Sequence, residues 1–140
     1  MTERALIDTG PLFAIYSEGD PHHKRCIKAL STFAPPLLTC WPVVTEAAWL
    51  LRKRPDGLRK IFAGFASGFF ALLMLDAADL AAIAAVMHRY EDAGLQLADA
   101  ALAHLAEREN IRTVFTTDRR DFSIIRLKRN RALTLLPEVQ

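Results

Sequence analysis

Short apolar segments alternate with helical segments along this chain, and this alternation constrains the fold more than any other feature. Strands are predicted at 5–8, 37–39, 69–75, 112–116 and 132–136, and the segments between them carry capping residues, prolines at favoured helix starts and helical periodicity. Strands separated by helices favour a parallel sheet that is covered on both faces. We therefore expect an α/β fold in one domain, spanning residues 1–140.

Hydropathy favours a cytoplasmic protein over a membrane or secreted one. The most apolar run, 69–75, ends at Asp76 and is too short to span a bilayer. The opening M-T-E-R-A-L lacks the apolar core of a secretion signal. Cys26 and Cys40 have neither C-x-x-C nor zinc-ligand spacing, so both are interpreted as small buried residues.

Four acidic residues fall on buried or apolar positions, which are unfavourable for lone carboxylates. Asp8 ends the first strand and Asp118 follows the strand at 112–116, so both are expected at the carboxyl edge of the sheet, where open parallel sheets bind ligands. Glu46 has apolar neighbours one helical turn away on either side, and Asp99 lies on a largely apolar helix face. The four acids are therefore candidates for one functional site.

Each acid also has a structural interpretation. Asp8 could cap the helix that follows it, Asp99 could be a first-turn acid favoured by the helix dipole, and Asp118 could begin a turn. Glu46 could pair with a buried arginine. Four separate explanations are disfavoured because carboxylates gathered at one edge repel one another unless a counter-charge is present. Mg²⁺ or Mn²⁺ is the natural counter-charge, since both ions prefer oxygen ligands.

Four motifs that span nearly the whole chain carry a family resemblance. They are L-I-D-T-G-P-L, P-V-V-T-E-A-A-W-L, L-Q-L-A-D-A-A-L-A-H-L-A-E and T-T-D-R-R-D-F. Together they resemble the PIN-domain ribonucleases, most closely the VapC-type toxins of type II toxin–antitoxin pairs. The resemblance implies a three-layer α/β/α fold with a short, mainly parallel central sheet. It also places the family's four acidic positions at Asp8, Glu46, Asp99 and Asp118.

The resemblance implies a Mg²⁺-dependent endoribonuclease in which these four acids are both catalytic residues and metal ligands, with Mn²⁺ able to substitute. Such chemistry needs no side-chain nucleophile, because carboxylate-held ions activate water and stabilise the leaving oxygen. The sequence agrees, since it contains neither a nucleophile elbow nor a phosphate-binding glycine loop. The partners implied are an RNA substrate, a cognate antitoxin protein and a second copy of the chain in a homodimer.

Residues around the last acid have supporting roles. Thr117 matches a position where the family often has a hydroxyl near the metal, and Asp121 is a fifth acid or a turn residue, with the turn preferred. Arg119 and Arg120 are candidates for contact with the RNA backbone, although clusters of basic residues, here also at 52–54 and 126–131, are more often solvated faces.

Other conspicuous side chains have more ordinary interpretations. The adjacent pair His22 and His23 lacks a spaced partner, so solvent exposure is favoured over metal binding. Trp41 and Trp49 are interpreted as core or partner interface rather than as base-stacking platforms.

Two other functional classes compete with the nuclease. A non-catalytic PIN-like module that binds RNA or protein is disfavoured by the complete set of four acids. A phosphotransfer domain of the receiver or phosphatase type is disfavoured more strongly. A phosphatase of this kind requires D-x-D, and Gly10 occupies the second acid's position. A receiver requires a lysine near the end of the last strand, where Leu136 is followed by Pro137.

Overall fold

The structure, a computed structural model, describes residues 4–138. Within this range the strands are β1 (Ala5–Ile7), β2 (Leu37–Thr39), β3 (Phe70–Leu72), β4 (Thr113–Phe115), β5 (Arg126–Leu127), β6 (Arg131–Ala132) and β7 (Thr134–Leu136). Five of them are parallel and form the central sheet, in the order β3-β2-β1-β4-β7. The two short strands β5 and β6 pair as a separate antiparallel hairpin.

Seven α-helices in the described range connect and surround these strands, which gives the α/β fold that the alternation predicts. They are α1 (Thr9–Ala14), α2 (His23–Leu30), α3 (Trp41–Leu50), α4 (Pro55–Ala66), α5 (Asp79–Arg89), α6 (Leu97–Glu109) and α7 (Arg119–Ser123). None of the helices between residues 4 and 138 combines the length and apolarity that a bilayer crossing requires.

The core is built around the central strand β1, which is buried along its whole length. Leu6 lies opposite Leu38 of β2 and Val114 of β4, and all three side chains are buried, as a parallel sheet covered on both faces requires. Helix α6 is rich in alanine and buried along most of its length, so it packs closely against its neighbours α5 and α3. This arrangement brings the beginning of α6 to the edge at which the strands end.

Several predicted boundaries need correction. The strand predicted at 69–75 is shorter, and the one predicted at 132–136 divides at Leu133 into β6 and β7. Helix α2 begins at His23 rather than beside Pro21, because Oδ1 of Asp20 accepts the N–H of His22 at 2.8 Å in a turn before the helix. Both cysteines are free and buried, as expected.

Candidate active site

The first acid is held at the end of β1. The backbone N–H of Asp8 donates to the carbonyl of Phe115 at 2.9 Å, which extends the β1–β4 ladder by one residue. The side chain is 4% exposed. Although Asp8 occupies the N-cap position of α1, its carboxylate makes no side-chain capping bond to that helix. Its Oδ2 instead accepts a 2.8 Å hydrogen bond from the hydroxyl of Thr116, so the capping interpretation is not supported.

The last acid is held by the same threonine. Oγ1 of Thr116 accepts the backbone N–H of Asp118 at 2.9 Å. Asp118 in turn is the N-cap of α7, and its Oδ1 accepts the N–H of Asp121 at 3.1 Å. Asp118 therefore begins a helical turn, as its structural interpretation predicts, and it also lies beside Asp8 at the carboxyl edge of the sheet.

Asp99 is positioned by the start of α6. It is the third residue of that helix and forms a capping box with Gln96, whose side chain accepts the N–H of Asp99. Oδ2 of Asp99 accepts the backbone N–H of Gln96 at 3.2 Å. Asp99 is thus a first-turn acid whose Oδ2 caps the helix, as its structural interpretation predicts. Its side chain is nevertheless buried.

Glu46 completes the predicted set from α3, which packs against α1 and α6. Its side chain is half-buried, and within residues 4–138 it has no hydrogen bond or ion pair, so pairing with a buried arginine is not supported. The four predicted acids line one cavity of about 340 Å³. Its lining includes Asp8, Glu46, Asp99, Asp118 and Asp121, together with Thr9, Gly10, Gln96 and Thr117.

The electrostatics of Asp8 reflect burial and crowding. Burial raises the pKa of Asp8 to about 7. The hydrogen bond from Thr116 lowers this pKa, whereas the negative charges of Asp99 and Glu46 raise it further. In the absence of a cation, the carboxyl group of Asp8 therefore ionises only at a higher pH than an exposed aspartate does.

The other crowded carboxyls behave in the same way. Burial raises the pKa of Asp99 to about 6, and the charges of Asp121, Asp118 and Glu46 add to this rise. The pKa of Asp121 is also raised, first by burial and then by Asp118. Because raised pKa values recur in carboxyls from separate elements, the cavity is a region of concentrated negative potential that favours a cation.

The fit to a divalent ion depends on how that ion is held. Among residues 4–138 no three His, Cys, Asp or Glu side chains are arranged closely enough to enclose an ion by themselves. Mg²⁺, however, usually takes one or two carboxylates and keeps several waters, so a cavity lined mainly by carboxylates and hydroxyls, with room for water, fits it. Thr9 also fits a hydrated ligand, because its buried Oγ1 has no hydrogen-bond partner within the described range.

Gly10 fixes the approach of α1 to the end of β4. A Cβ at Gly10 would overlap the hydroxyl of Thr117, so the absence of a side chain allows the two segments to meet. Thr117 lines the cavity, as expected for a supporting hydroxyl.

The two arginines beside Asp118 differ in their surroundings. Nη1 of Arg119 donates to the carbonyls of Leu135 at 3.1 Å and Pro137 at 3.0 Å, so this half-buried side chain ties α7 to the last strand. Arg120 is exposed. Contact with RNA stays a prediction for both, and Arg120 is the one that is free to reach a ligand.

Comparison with known proteins identifies the family. A model of the PIN domain matches residues 5–128. This chain belongs to the PIN-domain family. Ribonuclease VapC26 of Mycobacterium tuberculosis is 31% identical over 134 residues, which cover 94% of this chain and 99% of that protein. The family expected from the four sequence motifs is therefore confirmed.

A solved structure supports the PIN fold. The crystal structure of Mycobacterium tuberculosis VapC20, a Sarcin-Ricin loop cleaving toxin, matches with a TM-score of 0.72 and 18% sequence identity. The match covers 84% of this chain and 92% of that chain. At this identity the likeness shows the fold and not the substrate.

Some residues of this PIN-domain site escape sequence reasoning. Thr116 holds two of the acids, and Thr9, Gly10 and Gln96 line the cavity, but no local pattern in the sequence assigns these four residues to the site. Thr116 belongs to the stretch T-V-F-T-T, which contains three hydroxyl side chains, so nothing local distinguishes it. The two adjacent histidines do not line the cavity, and Nδ1 of His23 lies 2.7 Å from the carbonyl of Ala14.

Proposed function

We propose that this PIN-domain protein is a Mg²⁺-dependent endoribonuclease that hydrolyses RNA phosphodiester bonds. The observation that carries the proposal is the convergence of carboxylates from four separate segments on one cavity at the carboxyl edge of the sheet. The ribonuclease VapC26, which matches nearly the whole chain, supports the same reaction class. The residues proposed as both catalytic and metal-binding are Asp8, Glu46, Asp99 and Asp118.

Hydrogen bonds prepare the acids for this role. Asp8, Asp99 and Asp118 each accept a hydrogen bond from a protein donor, which fixes the orientation of the carboxylate. Glu46 has no such donor among residues 4–138, so its side chain can adjust its position. Asp121 adds a fifth carboxylate to the lining of the cavity. When bound there, Mg²⁺ or Mn²⁺ would supply positive charge to phosphate oxygens and lower the pKa of water.

The distribution of charge favours a polyanionic substrate once the carboxylates are compensated. The chain carries 18 Lys and Arg residues against 16 Asp and Glu, and five of those acids line one small cavity. The remaining surface is therefore more basic than the net charge of +2 indicates. RNA, held through its phosphates, matches this surface. The complete acid set also disfavours the alternative of a non-catalytic binding module.

The test is cleavage of single-stranded RNA by purified protein. We expect cleavage with Mg²⁺ or Mn²⁺, none in excess EDTA, and none with Asp99→Asn at any metal concentration. Asp92→Asn is the matched control, because Asp92 is an exposed acid outside the cavity and its loss should leave cleavage unchanged. Cleavage that persists in EDTA would exclude the metal-dependent mechanism.

Two protein partners are part of the proposal. The resemblance to VapC-type toxins implies a cognate antitoxin protein. A cationic side chain of that antitoxin, inserted among the five carboxylates, would inhibit the enzyme by occupying the cation site.

The second partner is another copy of the chain. Trp41 and Trp49 are 53% and 63% exposed and, with exposed Leu97, line a groove next to the acid cavity. Exposed tryptophans of this kind are typical of protein interfaces.

A further inference from the structure

A second cavity, of about 500 Å³, lies between α5, α6 and the hairpin of β5 and β6. We call it the basic cavity. Small side chains form one side of it, namely Ala82 and Ala85 of α5 and Ala103 of α6. Cationic side chains from the end of α5 and from the hairpin form the other side. These are Arg89, Arg126, Lys128 and Arg129.

The positive charge of the basic cavity is largely uncompensated. Among the described residues that line it, Glu107 is the one acid, and its Oε2 accepts the backbone N–H of Lys128 at 3.0 Å. The side chains of Lys128 and Arg129 are exposed, and within residues 4–138 no hydrogen bond or ion pair engages them. Clustered cations without acidic partners are the electrostatic signature of an anion-binding surface.

The basic cavity adjoins the acid cavity along two elements. On α6, Asp99 lines the acid cavity and Ala103, one turn or roughly 6 Å further along the axis, lines the basic cavity. The segment that contains α7 repeats this relation, with Asp121 in one cavity and Ile125 in the other. A strand that leaves the acid cavity across this segment reaches the basic cavity within a few nucleotides.

The shape of the basic cavity suits a nucleotide rather than a bare ion. The ring of Tyr90 is half-buried in its wall, fixed by a 3.0 Å hydrogen bond from the N–H of Arg126 to the tyrosine hydroxyl. The guanidinium of Arg89 lies 5.3 Å from the centre of that ring. Flat guanidinium and aromatic surfaces beside small alanine side chains are favourable for stacking a base, while the neighbouring cations hold phosphates.

We propose that the basic cavity binds the phosphate backbone of the same RNA strand whose scissile bond lies in the acid cavity. This inference rests on the proposed function and adds a second contact for its substrate. An acidic protein segment would match the charge, but RNA also explains the flat surfaces and the continuity with the acid cavity. The two cavities together would hold a single strand in one direction across α7.

The first test removes the two free cations in the variant Lys128→Gln/Arg129→Asn. Asparagine is chosen because Arg129 has φ of 64°, a left-handed conformation that Asn tolerates. Binding of a single-stranded RNA oligonucleotide is measured in EDTA over a range of salt concentrations. Loss of two phosphate contacts should weaken binding about tenfold near 0.1 M salt and reduce the slope of log affinity against log salt by about 1.4.

The control for lost charge is Lys24→Gln/Lys60→Gln. Both lysines are exposed, line neither cavity and make no side-chain hydrogen bond or ion pair within residues 4–138. This control removes the same charge from the whole protein, so it should bind RNA nearly as wild type does. Equal losses in the two double variants would overturn the proposal, since binding would then follow net charge alone.

A second test places a carboxylate in the basic cavity without removing any cation. Ala85 and Ala84 are neighbouring exposed residues of α5, but only Ala85 lines the cavity. Glutamate is a good helix former at both positions. Ala85→Glu should weaken RNA binding about tenfold through repulsion of phosphate, and Ala84→Glu should leave it within twofold of wild type.

These experiments separate this inference from the nuclease proposal, because binding in EDTA does not require cleavage. Loss of binding in the cavity variants, without cleavage by wild type under any metal, would refute the nuclease and support the RNA site. Metal-dependent cleavage with unchanged binding and an unchanged salt slope in both cavity variants would refute the RNA site. In that case an acidic protein segment becomes the better occupant.

Discussion

The hydroxyl of Thr116 donates a 2.8 Å hydrogen bond to Oδ2 of Asp8, joining side chains that are 108 residues apart in the sequence. The same hydroxyl oxygen accepts the N–H of Asp118 at 2.9 Å. Strands β1 and β4 are neighbours in the sheet, so one side chain sets the position of the first acid relative to the last. The register of the sheet, and not local sequence, therefore assembles this part of the site.

Thr116→Val should reduce cleavage and shift its pH dependence. Valine keeps the shape but removes both hydrogen bonds, for a stability loss of about 1–3 kcal/mol. Because the hydroxyl lowers the pKa of Asp8, its removal should raise that pKa and move the rising limb of the profile of kcat/KM against pH to higher pH. The profile is measured by initial rates between pH 5 and 9.

Thr39→Val provides the control for a general loss of stability. Thr39 is also fully buried, and its hydroxyl donates to the carbonyl of Ile7 at 3.0 Å. Its removal should reduce stability by a comparable amount and leave the pH profile unchanged. If both variants show the wild-type profile, Thr116 does not act through Asp8.

The sequence predicted those elements whose local signals agree with the tertiary structure. Helix α6, for example, begins at a capping box between Gln96 and Asp99 just before a long helical segment, so its start carries a local signal. The strand at 69–75 was predicted too long because apolar residues continue beyond the ladder, and Met74 is largely exposed. Helix α7 has only five residues, which is too short for helical periodicity to be recognised.

The residues of the candidate site also fall into two groups, those with a local signal in the sequence and those without one. The four acids could be found because each is a carboxylate in an apolar context, which is a local signal. Partners that depend on tertiary contacts could not be found. Thr116, for example, reaches Asp8 only because β1 and β4 are neighbours in the sheet. The interpretation of Trp41 and Trp49 as core is wrong, since both are exposed, and the interface interpretation stays a prediction.

Trp41→Ala/Trp49→Ala should convert a dimer to a monomer. The two exposed rings both line the groove of α3 and α6, and their burial by a second copy would remove a large apolar area from water. Sedimentation velocity at several protein concentrations measures the change. Phe62→Ala is the control, because Phe62 is 50% exposed on α4, outside the groove. A wild type that sediments as a monomer at all concentrations would contradict the proposed dimer.

Asp8→Asn should stabilise the metal-free protein at neutral pH while abolishing cleavage. The folded-state pKa of Asp8 is raised to about 7, whereas the unfolded value is about 3.9. Well below pH 4 the carboxyl is protonated in both states and contributes almost no penalty. Between about pH 4 and 7 the unfolded state ionises more readily, so the free energy of unfolding of the wild type falls, and above pH 7 the loss is complete.

The Asp8→Asn variant lacks this carboxyl, so its free energy of unfolding should not fall in this way as the pH rises. The difference in free energy of unfolding should be small at pH 4 and grow to on the order of a few kcal/mol at pH 7.5, measured by urea denaturation in EDTA. Asp92→Asn should show no such growth because Asp92 is exposed. A difference that stays constant across this range would mean that the substitution at Asp8 acts through shape and not through charge.

Mg²⁺ should stabilise the wild type more than it stabilises Asp8→Asn. An ion that binds only the folded state stabilises it by about 2.7 kcal/mol at a free concentration 100 times its Kd. The wild type offers the carboxylate of Asp8 to the ion, and ion binding also relieves its like-charge repulsion, so the wild type should gain more stability than Asp8→Asn does.

Screening by salt also weakens repulsion among carboxylates, and melting curves must therefore be compared at matched ionic strength with KCl in place of MgCl₂. A larger rise in Tm for the wild type in Mg²⁺ than in KCl, with a smaller rise for the variant, supports Asp8 as a ligand. Equal responses of both proteins to Mg²⁺ would leave Asp8 a buried acid without a metal.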